Sequence, residues 1–389
     1  MMKRNFMENL LDGVTVEYKN LVEITKVLRG KRLTRDKLSG DERFPVFHGG
    51  LDPLGYYGLS NRPANSVMII NVGASAGTVG YSDVEFWSSD GCYCIQHSDL
   101  LDNKFLYYFL IGQQHLLRSK VRFAGIPTLD ANVIEKIKIP IPCPDNPEKS
   151  LEIQAEIVRI LDTFAELTAE LTAELTAELT ARKKQYNYYR EQLLTFEEGE
   201  VEWKPLGETL VRTKGTKITA GQMKELHKIN APLKIFAGGK TIAFVDFEDI
   251  PKKDINREPS IIVKSRGNIE FEYYDKPFSH KNEMWSYHSK NKNINIKFVY
   301  YFLKINELYF QNIGSRMQMP QIATPDTDKF KIPVPPIEEQ DRIVSILDKF
   351  DALTSSITEG LPCEIELRQK QYEYYRNMLL SFPKEEVEK

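Results

Sequence analysis

The sequence predicts an α+β protein of two tandem, pseudo-twofold-related domains separated by long antiparallel helices. Three observations lead there. The chain is written twice: "QAEIVRILDTFAELT" (154–168) returns as "QDRIVSILDKFDALT" (340–354), and "RKKQYNYYREQLLTF" (182–196) as "RQKQYEYYRNMLLSF" (368–382), both shifted by 186 positions. Each copy opens with short runs rich in β-branched residues and closes on a heptad-like helical pattern. Between the copies stands "FAELTAELTAELTAELTA" (164–181), a tetrad repeat of strong helix formers with no Gly or Pro.

The matches keep their order along the chain. "VEYKNL" (16–21) pairs with "VEWKPL" (201–206), Gly30 and Thr34 fall on Gly215 and Thr219, and "VFHGG" (46–50) matches "IFAGG" (235–239). The runs "SVMIINV" (66–72) and "PSIIVKS" (259–265) read as strands. Helical patterns come next at "FLYYFLIGQQHLLRS" (105–119) and "FVYYFLKINELYFQN" (298–312). Then come extended Pro-rich bridges, "IPIPCPDNP" (139–147) and "IPVPPIEEQ" (332–340). Proline is welcome in a first helical turn, so each bridge delivers the chain into a long helix. Four segments result: a first globular domain (1–150), a central helical spacer (151–198), a second globular domain (199–336) and a C-terminal helical region (337–389).

In the spacer, Ile153, Ile157, Ile160, Phe164, Leu167 and Leu171 make a seam for another helix. Ile343, Ile346, Phe350, Leu353 and Ile357 repeat it, until "EGLP" (359–362) bends or breaks the second helix. Tyr186, Tyr189 and Leu193, and their counterparts Tyr372, Tyr375 and Leu379, fall on one stripe each. Stacking on nucleic-acid bases is open to such tyrosines, but a packing seam is favoured. Each added tetrad lengthens a helix by roughly 6 Å and rotates the chain beyond it by roughly 40°. A DNA base pair turns the duplex by a similar angle, so the repeat reads as a ruler between two DNA half-sites.

Composition excludes several classes. The 389 residues hold 41% apolar and 11% aromatic side chains, enough for ordinary cores. No stretch approaches the ~20 apolar residues of a membrane span, and no signal-peptide pattern is present, so a cytoplasmic protein away from membranes is expected. The four cysteines suggest no disulfide framework. Charge separates by segment: residues 199–336 carry 22 basic and 16 acidic side chains, residues 151–198 carry 5 and 10, and residues 337–389 carry 7 and 12.

The variable domains, the "KIPxP" bridges and the helices ending "RxKQYxYYRxxLLxF" resemble the DNA-specificity subunits of type I restriction–modification systems, called HsdS, in the branch with TAEL spacer repeats. The resemblance spans nearly the whole chain and is strongest at 151–196 and 337–382. It implies two target-recognition domains, each reading half of an interrupted double-stranded DNA site. It also implies that the helices set the gap and dock modification (methyltransferase) subunits, expected to number two, with restriction subunits joining later. No cofactor is then expected on this chain; S-adenosylmethionine, ATP and Mg belong to partner subunits. "EGLP" and the longer first bridge depart from strict duplication, so the two halves need not bind partners identically.

Catalytic readings are weaker. "GASAG" (73–77) fits a nucleophile elbow, yet "TVGYSDVEFW" (78–87) reads as turn and strand where a helix is required. The repeat aligns Ser75 with Ser265, Gly77 with Gly267 and Val263 with Gly73. "CYCIQH" (92–97) offers Cys92, Cys94 and His97, but no second pair stands at zinc spacing. Trp285 and Tyr287 align with the two cysteines, which favours core packing. No P-loop and no N-P-P-[FY] loop occurs, so the chain is not expected to be an enzyme.

DNA contacts are expected in the globular parts. "LRGKRLTRDKL" (28–38) clusters Arg29, Lys31, Arg32, Arg35 and Lys37, and its counterpart holds Arg212, Lys214 and Lys217. "RSKVRFAG" (118–125) and "GSRMQMP" (314–320) add Lys120, Arg122, Arg316 and Gln318. Such side chains bind phosphates or read guanine and adenine edges; any one of them is otherwise a solvated charge. The sequence thus predicts a non-catalytic subunit for a bipartite, non-palindromic site. The alternative is a structural adaptor whose tandem domains bind protein.

Overall fold

The computed structural model describes residues 10–382 apart from 12, 198, 240, 315–318 and 356–359. The chain divides into two compact units, Met1–Glu174 with Ile365–Lys389, and Leu175–Glu364. This division differs from the sequence boundaries: it cuts the TAEL run and groups the C-terminal helix with the first unit. Among the described residues no helix is long and apolar enough to cross a membrane.

Each unit holds the same three sheets. In the first, a four-stranded antiparallel sheet runs in the order Val27–Leu28, Cys92–Ile95, Ser66–Ile70, Val79–Ser82. The second unit has Val211–Lys214, Trp285–His288, Ser260–Lys264 and Glu270–Tyr274 in the same order. Beside each lies a three-stranded sheet, centred on Phe44–Phe47 or Leu233–Phe236, with one parallel and one antiparallel neighbour. The Pro-rich bridges are strands too: Lys138–Pro142 pairs with Val16–Asn20, and Lys331–Val334 with Glu202–Pro205. A two-stranded ribbon tolerates these prolines because each strand is an edge, where a missing N–H need not break a ladder.

Alternation sorts the central strands between two cores. Val67, Ile69, Tyr93 and Ile95 face a cluster built on the helix Asn103–Gly112, with Phe105, Leu106 and Phe109. Met68, Ile70, Cys92 and Cys94 face Phe47 and Phe86 instead. In the second unit Ile261, Val263, Trp285 and Tyr287 pack with Phe298 and Phe302 of the helix Ile296–Ile305. Ile262 and Met284 face Phe236 and Phe278.

This pairing corrects the sequence alignment by one residue. Met68 pairs with Cys94, and Ile262 with Ser286. Trp285 and Tyr287 therefore take the places of Tyr93 and Ile95, while Cys92 and Cys94 match Met284 and Ser286. Because a slip of one residue exchanges the faces of a strand, the aromatic pair and the cysteine pair serve different cores. Core packing of Cys92 and Cys94 still holds, and burial pushes their thiols up to about 12 and about 11.

The long helix is one element, Pro147–Leu194, of 48 residues, helical through all the tetrads. Its counterpart is divided into Ile337–Ser355 and Gly360–Leu379. The expected residue Ile357 lies outside the described residues. Gly360 takes φ +77°, and a Cβ there would sit 2.6 Å from the carbonyl oxygens of Ala352 and Leu353. The Gly of "EGLP" thus holds a left-handed backbone that a side chain would block.

A polar clamp fastens each helix to its sheet domain. Fully buried Gln154 accepts from the Asp102 N–H (2.9 Å) and donates to the Leu100 carbonyl (3.0 Å). Gln340 does the same with the Asn295 N–H (2.9 Å) and the Asn293 carbonyl (3.0 Å). One face further along, Asp162 receives Lys104 (2.7 Å) and Tyr108 (2.6 Å), and Asp348 receives Lys297 (2.7 Å) and Tyr301 (2.6 Å). Burial, then the bond to the carboxylate, raises both tyrosine pKa values, keeping each phenol a donor. Replacing Gln154 or Gln340 by Leu removes the side-chain partner of one backbone N–H and one backbone C=O at the helix root. The expected loss is about 1–3 kcal/mol, read as a lower denaturation midpoint of the altered unit.

Candidate nucleic-acid interface

Arg29, Lys31 and Arg32 in the first unit, and Lys214 and Lys217 in the second, leave one end of the four-stranded sheet of their unit. In the first unit the strand ending at Leu28 lies against Cys94, and the strand ending at Ile70 against Cys92. Residues 29–32, 71–73 and 89–91 therefore emerge on the same side. Gly30 passes so close to the next segment that a Cβ would lie 1.8 Å from the Ser89 carbonyl oxygen. The Lys31 N–H donates to Ser88 O (2.9 Å), Trp87 Nε1 donates to Lys31 O (2.8 Å), and Arg62 donates to Arg29 O (2.6 Å). The backbone is thus fixed while the side chains of Arg29, Lys31, Arg32, Arg35 and Lys37 are exposed.

The second unit repeats the device with other residues. A Cβ on Gly215 would lie 2.4 Å from the carbonyl oxygens of His280 and Lys281, and the Thr216 N–H donates to His280 O (2.8 Å). Lys214 and Lys217 flank this approach, exposed, on a groove of about 820 Å³ that also takes in Lys253, Asn256 and Asp254. The Asn256 amide nitrogen is buried in the wall of that groove with no hydrogen-bond partner. Lys253 and Asn256 were invisible to the sequence reading; the Lys252–Lys253 pair was the only signal, and nothing local ties it to Lys214.

Other candidates have different surroundings. Arg212 is committed to Asp328 (2.7 Å), whose second oxygen accepts from Tyr287 (2.6 Å). Arg122 pairs with Asp130 (2.9 Å) at the surface. Lys120 is exposed at the rim of an apolar pocket of about 490 Å³ lined by Tyr18, Phe109, Leu117 and Phe382. Arg316 and Gln318 lie outside the described residues.

The loop after each pair of short helices returns to this same sheet end. In the first unit Arg122 and Thr128 exchange backbone bonds (2.9 and 3.0 Å), Gly73 N–H donates to Pro127 O (2.9 Å), and Leu129 N–H to Asn71 O (2.9 Å). In the second, Gly267 N–H donates to Pro320 O (2.9 Å) and Ile322 N–H to Ser265 O (3.0 Å). These bonds equate Gly73 with Gly267 and Asn71 with Ser265. The expected match of Ser75 with Ser265, Gly77 with Gly267 and Gly73 with Val263 is therefore four residues out. Ser75 itself stands in a tight turn between the paired strands Ser66–Ile70 and Val79–Ser82, with Thr78 N–H donating to its carbonyl (3.0 Å). A hairpin replaces the strand-to-helix elbow that a serine nucleophile requires.

The helical candidates pack within their own units. Phe164 stacks on Tyr375 (5.6 Å between ring centres), and Leu167, Leu171, Arg368 and Tyr372 line the groove beside them, so the two helices run antiparallel. Tyr186 and Tyr189 both stack on Phe350 (5.9 Å each). Ile157, Ile343 and Leu379 are buried, Ile160, Ile346, Leu353, Leu171 and Leu193 are half-buried, and Leu167 is 56% exposed. The single expected seam omitted Val158 and Leu161, and likewise Val344 and Leu347, which are buried against the sheet domains. The helix carries two apolar stripes, one for its sheet domain and one for the neighbouring helix.

The sequence profile described as the type I restriction modification DNA specificity domain matches residues 13–181 and 213–367. The chain belongs to the type I restriction–modification specificity subunits. It is 38% identical over 415 aligned positions to the EcoR124I/EcoR124II specificity subunit of Escherichia coli, covering 100% of this chain and 99% of that one. Identity is 34% with the EcoprrI specificity subunit of Escherichia coli, over 92% of this chain and 93% of that. With a putative specificity subunit of Haemophilus influenzae it is 33%, over 97% and 99%. The fold is shared with the S subunit of M. genitalium (TM-score 0.53, 18% identity, 98% of each chain). It is shared also with a structure described as the basis of complex assembly and conformational transition of the type I R-M system (TM-score 0.62, 14% identity, 94% and 97% covered). The protein is thus a non-catalytic DNA-specificity subunit, α+β in fold, that works with other restriction–modification subunits and DNA.

Replacing Arg29, Lys31 and Arg32 together by Ala is expected to reduce the slope of log Kobs against log salt by up to about 3, near 0.9 per lost phosphate contact. Arg212→Ala, which removes an ion-paired side chain, is expected to leave that slope unchanged. Fluorescence anisotropy of labelled duplex with the assembled subunits, titrated with salt, checks both.

Proposed function

We propose that each unit of this specificity subunit reads one half of a bipartite, non-palindromic double-stranded DNA site with the end of its four-stranded sheet. The observation that carries the proposal is the duplicated close approach at Gly30 and Gly215. It holds two basic segments in one backbone geometry while giving them different side chains, Arg29, Lys31 and Arg32 in one, Lys214 and Lys217 in the other. A shared frame with unlike readers suits two unlike half-sites.

The long helix supplies the gap. Its tetrads run without a break inside Pro147–Leu194, so one TAEL more or less changes its length by roughly 6 Å and its turn by roughly 40°. The exposed faces of the helices, where Tyr188, Leu367 and Tyr374 stand open to solvent, are the docking places for two modification subunits that carry the methyltransferase chemistry. Restriction subunits complete a cytoplasmic complex. S-adenosylmethionine, ATP and Mg are bound by those subunits.

A methylation map of DNA from cells expressing this chain with its cognate modification subunit tests the reading. An interrupted motif that vanishes without the chain is the expected result. Deleting residues 172–175 is expected to alter the gap and leave both half-sites as they were. Changed half-sites with a fixed gap would refute the ruler. No motif from a correctly assembled complex would favour the adaptor reading.

A further inference from the structure

The sheet end that carries the basic segments also carries exposed apolar side chains. In the first unit the hairpin closed by Arg122 and Thr128 presents Phe123 and Ile126, 75% and 70% exposed. Its tip is held in place: Gly125 turns with φ +86°, and Pro127 O accepts from Gly73. In the second unit Met319, 62% exposed, precedes Pro320, whose carbonyl accepts from Gly267. Ile126–Pro127 and Met319–Pro320 are therefore the same structural position. Both copies keep an exposed apolar residue there, before a proline pinned by the same backbone bond.

Single exposed apolar side chains are common, but one kept at the same pinned position in both copies marks a contact surface. Charge identifies the kind. Lys120 stands beside the first loop, where Arg122 is paired with Asp130, and Arg266 is bridged to Gln321 beside the second, while the basic segments 29–32 and 214–217 leave the same ends of the sheets. A cationic surface around a rigid apolar point suits DNA, where Phe, Ile, Met and Pro act as wedges that unstack a base step. We propose that Ile126, with Phe123, and Met319 are apolar wedges that enter the base stack, one in each half-site. The proposal rests on the reading that these sheet ends face DNA, and adds how they deform it.

The test uses the chain assembled with its modification subunits and duplexes carrying the mapped motif, with 2-aminopurine placed step by step outside the methylated adenines. The wild-type complex is expected to raise fluorescence at one step in each half-site. Phe123→Ala with Ile126→Ala is expected to abolish the signal in the first half-site alone, and Met319→Ala that in the second. Each is expected to weaken specific binding about tenfold or more, the scale of a lost stacking contact, with an unchanged salt slope because no phosphate contact is lost. Thermal midpoint and subunit assembly are expected to match wild type. Signals that survive the substitutions, or a wild-type complex that binds its site with no unstacked step, would overturn the wedge and leave the half-site reading intact. An affinity loss with a shallower salt slope would overturn it in favour of phosphate contacts, and loss of assembly in favour of a protein contact. Failure of the wild-type complex to bind the mapped motif would instead remove the half-site reading itself.

Discussion

The rest of the structure depends on the buried glutamine at the root of each long helix. Gln154 and Gln340 bridge an N–H and a C=O of the segment that starts the neighbouring helix. One fully buried amide serves two backbone groups, and it does so only at one rotation and one height of the helix. The Asp162 and Asp348 sites, two turns on, fix the same helix at a second point. Two polar anchors define a direction where apolar packing alone would tolerate sliding. Each long helix is thereby joined to its own sheet domain at two fixed points.

The sheets convert that rigidity into a surface. Central strands buried on both faces leave only their ends free for chemistry, and the antiparallel order brings the ends of three strands together. Gly30 and Gly215 let the basic segments cross at van der Waals limits, where any side chain would collide with a carbonyl. Specificity can then change by exchanging exposed side chains without disturbing the frame beneath. The duplicated frame with unlike side chains is the arrangement expected of two readers with different targets.

Periodicity made the helices legible and also misled. A heptad reading of Ile153 to Leu171 identifies one stripe, yet Leu161 and Leu347, both buried, lie off it because each helix serves two neighbours. In the strands, aligning Cys92 with Trp285 by sequence puts two residues from opposite faces together. Only the pairing of Met68 with Cys94 and of Ile262 with Ser286 reveals the slip. Gapped loops between strands hide such shifts, since nothing in the loops themselves records the face of the next residue.

The sequence by itself determined the duplication, the α+β class, the continuous tetrad helix and the family. Each of these is written in neighbouring residues or in a repeat, and needs no knowledge of what lies opposite in space. The tertiary structure alone decided that "VEYKN" and "KIPIP" pair as a ribbon, that Arg212 is held by Asp328, and that Lys253 borders Lys214. It alone gathered Gly30, Gly73 and the Phe123–Ile126 tip at one sheet end. Those contacts join residues far apart along the chain, and strand register fixes them.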